Sequence, residues 1–105
     1  MESLVVTVES TKPGIVRLDG EIDMHTVPRL EEAFAEVLSA GGSVSVDMAN
    51  VTFIDSSGLH FLASVASTLN GAGPLKLVNV PPRVLRVMGI VGMDAMPTID
   101  LQGEV

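Results

Sequence analysis

Apolar and polar positions change rhythm along this chain at intervals that mark out alternating strands and helices. Leu4, Val6 and Val8 alternate with Val5, Thr7 and Glu9, and Ile15-Val16-Arg17-Leu18 repeats the β signal after the turn-forming Lys12-Pro13-Gly14. The two runs predict an N-terminal hairpin. Beyond Asp19-Gly20-Glu21-Ile22-Asp23, read as an acidic loop, Val27, Leu30, Ala33, Phe34, Val37 and Leu38 line one side of a first helix. Arg29, Glu31, Glu32 and Glu36 fall largely outside that stripe. Thr26 is the expected N-cap, Pro28 sits in the first turn, and Gly41-Gly42 ends the helix.

Val44 and Val46 alternate with Ser45 and Asp47 in a third strand, from which Ala49-Asn50 leads to the central stretch of the chain. There Val51, Phe53 and Ile54 run into Asp55-Ser56-Ser57, and Leu59, Leu62, Ala63, Ala66 and Leu69 then recur at helical spacing. The change of period places a helix start at the serines, with Ser56 or Ser57 expected as N-cap. Asn70-Gly71-Ala72-Gly73-Pro74 breaks this second helix before a fourth strand, Leu75-Lys76-Leu77-Val78. Pro81-Pro82 opens a third helix with Val84, Leu85, Val87 and Met88 as its apolar stripe and Arg83 and Arg86 exposed. Gly89 and Gly92 limit its length, and Pro97-Thr98-Ile99 is a candidate last strand. Strands alternating with helices predict an α/β fold: a mixed, mostly parallel sheet with an N-terminal hairpin and helices packed against it.

Composition narrows what such a fold can do. The 105 residues, 47% of them hydrophobic, suit one compact domain over residues 1–105. With no cysteine there is neither a disulfide framework nor a thiolate metal site, which fits a reducing compartment. Thirteen acidic against 6 basic residues give a formal charge of -7, which repels phosphate backbones and anionic membranes, so nucleic acid is an unfavourable partner. The N-terminus carries Glu2 and only a short apolar run, without the positive flank of a signal peptide. Ser56 to Leu75 holds no full charge, but its Ser, Thr, Asn, Gly and Pro residues are too frequent for a membrane span. A cytoplasmic protein is expected.

Val51-Thr52-Phe53-Ile54-Asp55-Ser56-Ser57-Gly58-Leu59 resembles the STAS domain, in particular the small anti-sigma factor antagonists of that family. Gly20-Glu21-Ile22-Asp23-Met24-His25-Thr26, Leu75-Lys76-Leu77-Val78-Asn79-Val80-Pro81-Pro82 and Ile90-Val91-Gly92-Met93 carry the resemblance over nearly the whole chain, in the family's order. The resemblance implies a regulatory substrate and not an enzyme. Its first serine after the aspartate, here Ser56, would be phosphorylated by the partner, an anti-sigma factor that is also a serine kinase. The unphosphorylated form would bind that partner and free a sigma factor, and a serine phosphatase would reverse the modification. Asp23 matches the loop acid of the family and is expected beside Ser56. Two departures stand out: Arg29 occupies the place where a Glu often completes a capping box, and the chain ends at Val105 where relatives often add a helical segment.

The residues themselves support a switch of this kind. A phosphate adds about -1.5 to -2 charges, and a helix N-terminus accommodates an anion with roughly 0.3–1 kcal/mol of stabilisation. No basic residue lies between Arg29 and Lys76, so the charge is expected to act by repulsion at an interface. On a helical wheel His60, Ser64 and Ser67 form the outer side of the second helix, with Phe61 and Thr68 at its margin, an uncharged face that suits a partner. The partner-binding residues expected are therefore Asp23, Asp55, Ser56, Ser57, Gly58, His60 and Phe61. The bland alternative for Asp55-Ser56-Ser57 is a cap and turn, and for the helix a poorly charged surface.

Other chemistries fit less well. A Ser56-His60-Asp triad would need both Ser and His on one helix, without a nucleophile elbow or an oxyanion donor. His25 and His60 with scattered carboxylates lack metal-ligand spacing, and no cofactor is expected. The six methionines read as core filler. A phosphoaspartyl receiver built on Asp47 lacks its acidic pair and its lysine. The remaining alternative is an unphosphorylated STAS scaffold of a transporter or another signalling complex.

Overall fold

The computed structural model describes residues 4–69 and 71–104; Glu2, Asn70 and Val105 lie outside the described residues. β1 (Leu4–Thr11) and β2 (Gly14–Ile22) form the expected hairpin, followed by α1 (Val27–Ala40), β3 (Val44–Ile54), α2 (Ser56–Thr68), β4 (Leu75–Val80), α3 (Pro82–Ile90) and β5 (Ile99–Gly103). The sheet has five strands in the order β1-β2-β3-β4-β5, with β1 antiparallel to β2 and the remaining pairs parallel. The predicted α/β architecture is the observed one.

Strand order has a direct consequence for where the core lies. Each crossover moves one strand in the same direction, so right-handed connections set all of α1, α2 and α3 on one face. Burial follows: Val16, Leu18, Val44, Val46, Met48, Leu75 and Leu77 are buried, while the intervening Ile15, Arg17 and Lys76 are exposed. The open face is held by polar side chains, with Arg17 3.4 Å from Glu9 and 3.6 Å from Asp19, and Asn50 donating to Asp19 at 2.7 Å. These exposed pairs are worth little individually, and they share the uncovered face with exposed Val5, Ile15 and Phe53.

Several elements extend beyond their predicted limits. Asp19 to Ile22 continue β2 instead of forming a loop, and the third strand and the central apolar run are one strand, β3. Ala49-Asn50 obscured this because β3 bulges. Between Asp47 and Asn50, and again between Val51 and Phe53, it gains a residue over β2. That is why Val51 and Ile54 face the core while Thr52 and Phe53 are both exposed. β4 runs on to Val80, and the last strand begins at Ile99, after a 3₁₀ turn at Met93–Ala95 absent from the sequence expectation. Met48, Met88 and Met93 fill the core as expected, but Met24 is 69% exposed in the loop after β2.

Candidate functional site

Two neighbouring loops, one after β2 and one after β3, build the site. They are joined by the backbone, since Asp55 N–H donates to Ile22 O at 3.1 Å. Asp23 follows Ile22 directly, so the structure brings the two acid-bearing loops together at the carboxyl ends of adjacent parallel strands.

Asp55, not a serine, caps α2. Its extended backbone (φ -108°, ψ -175°) ends β3, and its Oδ1 accepts the N–H groups of Ser57 at 3.0 Å and Gly58 at 3.2 Å. The expected serine cap is thus corrected: Ser56 and Ser57 are the first two residues of the helix. Ser57 joins the cap as a donor, its hydroxyl reaching the same carboxylate oxygen at 2.6 Å. This hydroxyl, chiefly, and the N–H groups of Gly58, Ser57 and Met24 hold the Asp55 carboxyl below its ordinary value of 3.8, against the opposing effect of partial burial.

A pH dependence follows with a definite sign. A carboxyl whose folded-state value is depressed contributes stability above its unfolded value and loses it as the pH falls through the folded one. Denaturant midpoints of wild type and Asp55→Asn, measured from about pH 6 to about pH 2, should therefore converge below the ordinary carboxylate value. A constant gap would show that the Asp55 charge contributes nothing.

Ser56 differs from its neighbour. It is exposed at the first position of α2, and its hydroxyl makes no hydrogen bond among the described residues. One turn on, His60 is exposed, and Ser64 and Ser67 follow on the outer side as expected, joined by Thr68, expected at its margin and exposed. Their hydroxyls turn back onto the helix, Ser64 to His60 O at 2.9 Å, Ser67 to Ala63 O at 3.2 Å and Thr68 to Ser64 O at 2.8 Å. With the three hydroxyl donors satisfied internally, this ridge carries no full charge, and the imidazole of His60 is its main polar group.

Phe61 and Gly58 face inward instead. Phe61 is 9% exposed, with its ring edge-to-face against Phe34 of α1 at 5.2 Å, which moves it from the margin of the outer face to the seam between helices. Gly58 is buried, because a side chain there would meet Ile22 and Ile54. Beside Ser56 and Ser57 a groove of about 720 Å³ opens between α1 and α2, floored by Phe34 and Phe61 and walled by Val27, Leu38 and Val65, with Glu31 its one charged lining residue.

Thr26 stands at the N-cap position of α1, but its side chain makes no capping bond. Asp23 closes the turn ahead of the helix instead: its Oδ1 accepts from His25 N–H at 2.9 Å and Thr26 N–H at 3.0 Å, and its own N–H donates to Thr26 Oγ1 at 2.9 Å. Thr26 Oγ1 donates in turn to Glu21 O at 3.0 Å, which explains how a polar residue only 2% exposed is accommodated. The sequence reading missed Met24 and Phe53, exposed apolar residues that border these loops; Met24 stands between Asp23 and His25, which was an available signal, whereas Phe53 lies within an apolar run and is turned out only by the bulge of β3. Among the described residues no three His, Asp or Glu side chains could hold a metal ion, and no helix is long and apolar enough to cross a membrane.

The chain belongs to the STAS domain family, whose pattern matches residues 5–103. It is similar to the anti-sigma-B factor antagonist of Staphylococcus epidermidis, 33% identical over 92 residues that cover 86% of this chain and 85% of the relative. The Bacillus subtilis anti-sigma-B factor antagonist is 29% identical over 90 residues, covering 85% and 83% of the two chains. Among solved structures, an anti-sigma factor antagonist from Mycobacterium paratuberculosis superposes with a TM-score of 0.85 at 29% identity, covering 95% of this chain and 86% of the other. The anti-sigma factor antagonist SpoIIAA in its unphosphorylated form shares the fold, with a TM-score of 0.74 at 22% identity over 94% and 87% of the chains.

Proposed function

We propose that this protein is a cytoplasmic anti-sigma factor antagonist, a binding protein and not an enzyme. Unphosphorylated, it binds an anti-sigma factor that is also a serine kinase and so releases a sigma factor. Phosphorylation of Ser56 ends that binding, and a serine phosphatase restores it. The observation that carries this reading is the exposed Ser56 hydroxyl, without a hydrogen bond among the described residues, at the head of an uncharged helix face. The relatives named above, all anti-sigma factor antagonists, support it over a transporter scaffold.

Asp23, Asp55, Ser56, Ser57 and His60 form the rim of the proposed interface, while Gly58 and Phe61 shape it from beneath. Capture of partners by the unmodified protein, followed by incubation of the purified partner with ATP and mass spectrometry, tests the reading. A captured kinase that modifies Ser56 is the expected result, and phosphate on Ser57 alone would refute the assignment.

Asp23 offers a second check. Asn supplies the same acceptor oxygen to His25 and Thr26, so Asp23→Asn should change stability by less than ~1 kcal/mol. Loss of its charge from the proposed interface should weaken partner binding or slow phosphorylation of Ser56. Titrations and kinase rates that both equal wild type would leave Asp23 a residue of the turn before α1 alone.

A further inference from the structure

Two adjacent serines open α2, and their hydroxyls are in opposite states. Ser57 Oγ donates to Asp55 Oδ1 at 2.6 Å, while the Ser56 hydroxyl projects from an exposed residue without a partner among the described residues. We propose that Asp55 is a positioning residue that makes Ser56 the acceptor by withholding Ser57. The proposal rests on the reading of Ser56 as the phosphorylated residue and adds what enforces that choice.

In the transfer, a bond forms between the serine Oγ and the terminal phosphorus of a nucleoside triphosphate as the bond from that phosphorus to the bridging oxygen breaks. The nucleoside diphosphate leaves, and the hydroxyl proton passes to a base on the kinase. Such a transition state asks little covalent help of the nucleophile and depends on its alignment. Ser57 would have to give up a short, charge-assisted hydrogen bond to align, whereas Ser56 gives up none. The product is disfavoured as well, because a phosphate on Ser57 Oγ would bond to an oxygen that lies 2.6 Å from a carboxylate.

Asp55 could in principle activate Ser57 as a base instead of restraining it. Its oxygen already accepts the Ser57 and Gly58 N–H groups besides the hydroxyl, and a carboxylate so bonded is a weak proton acceptor. The same bonds anchor the start of α2, so the restraint is built into the cap and is present whenever the helix is.

The test compares wild type, Asp55→Ala, Asp55→Asn, Ser56→Ala and the Ser56→Ala/Asp55→Ala double variant, each incubated with ATP and the kinase captured by the unmodified protein. Fragmentation mass spectrometry then gives the ratio of phosphate on Ser57 to phosphate on Ser56. Asp55→Ala should raise that ratio by roughly tenfold to a hundredfold, the factor a hydrogen bond to a charged group commands. Asp55→Asn retains an acceptor oxygen but not the charge, and its ratio should fall between those of wild type and Asp55→Ala. Ser56→Ala should take no phosphate, and the double variant should take it on Ser57.

The ratio is the informative readout, since mere loosening of the helix would slow both sites together. The proposal is overturned if Asp55→Ala is still modified on Ser56 alone, or if Ser56→Ala is modified on Ser57 at a rate comparable to wild type. The second result needs no change at Asp55, so it stands even where Asp55→Ala folds poorly by circular dichroism. Wild type left unmodified on both serines would bring down the acceptor reading itself, which separates that failure from this one.

Discussion

Phosphorylated on Ser56, the protein is expected to bind its anti-sigma factor about 30-fold to several thousand-fold more weakly than the unmodified form, the equivalent of roughly 2–5 kcal/mol. The size of the effect follows from what surrounds the serine. Arg29 lies on α1 and sends its guanidinium to Leu4 O at 2.6 Å, and Lys76 projects from the open face of the sheet, opposite the helices. Among the described residues the groove beside Ser56 is lined by no lysine or arginine that could neutralise a phosphate at the head of α2. Asp55 already takes the N–H groups of Ser57 and Gly58, so the helix dipole is left to offer the phosphate some 0.3–1 kcal/mol, opposed by the adjacent carboxylate. The folded state should therefore barely register the modification, while a partner closing over the uncharged ridge must bury it. Calorimetric titrations should rank Ser56→Ala with wild type, Ser56→Asp weaker and the phosphoprotein weakest, because a carboxylate brings about half the charge. A phosphoprotein that binds within threefold of the unmodified form would exclude electrostatic rejection as the switch.

What the sequence disclosed and what it withheld divide along physical lines. Period-two and helical spacings located the hairpin, the helices and β4, because they record which side chains meet the core. The cap of α2 is read one residue off, whereas Thr26 does stand at the N-cap position of α1, with its hydroxyl bonded back to Glu21 O and Asp23 O and not to a helix N–H. Asp, Ser and Thr all cap well, and three stand together in Asp55-Ser56-Ser57. The choice among them depends on where β3 stops, and that is fixed by the Asp55 N–H bonding Ile22 O, a contact between loops distant in sequence. Phe61 was placed at the margin of an outer face because a wheel contains no second helix, yet Phe34 of α1 turns it into the seam. The candidate serine is proposed through a motif, but its distinction from Ser57 is a matter of one hydroxyl's direction, which only three dimensions supply.

Gly58→Ala should lower stability by about 1–2 kcal/mol, even though alanine is the better helix former. A Cβ on residue 58 would lie 2.6 Å from Ile22 Cγ2 and 2.8 Å from Ile54 Cγ1, both fixed close to the backbone of strands β2 and β3. These branched carbons cannot swing away as the end of a long side chain could, so α2 would have to lift from the sheet. Overpacking of this kind costs about 1–3 kcal/mol, and the propensity gained by replacing glycine within a helix offsets up to about 1 kcal/mol of it. For a chain of this length the net change corresponds to a fall in Tm of roughly 5–15 °C. Gly89 of α3 supplies the control, because nothing lies within 4 Å of the Cβ it would gain. There the propensity term acts alone, and Gly89→Ala should leave Tm unchanged or raise it. Thermal melts of the two variants without any partner separate packing from binding: opposite signs assign Gly58 to the closeness of α2 and the sheet, whereas a Gly58→Ala melt equal to wild type would mean that the helix is not pressed on Ile22 and Ile54 as the structure has it. Because Gly58 N–H also donates to Asp55, any lift of the helix should carry Ser56 with it, so partner affinity is expected to fall alongside stability.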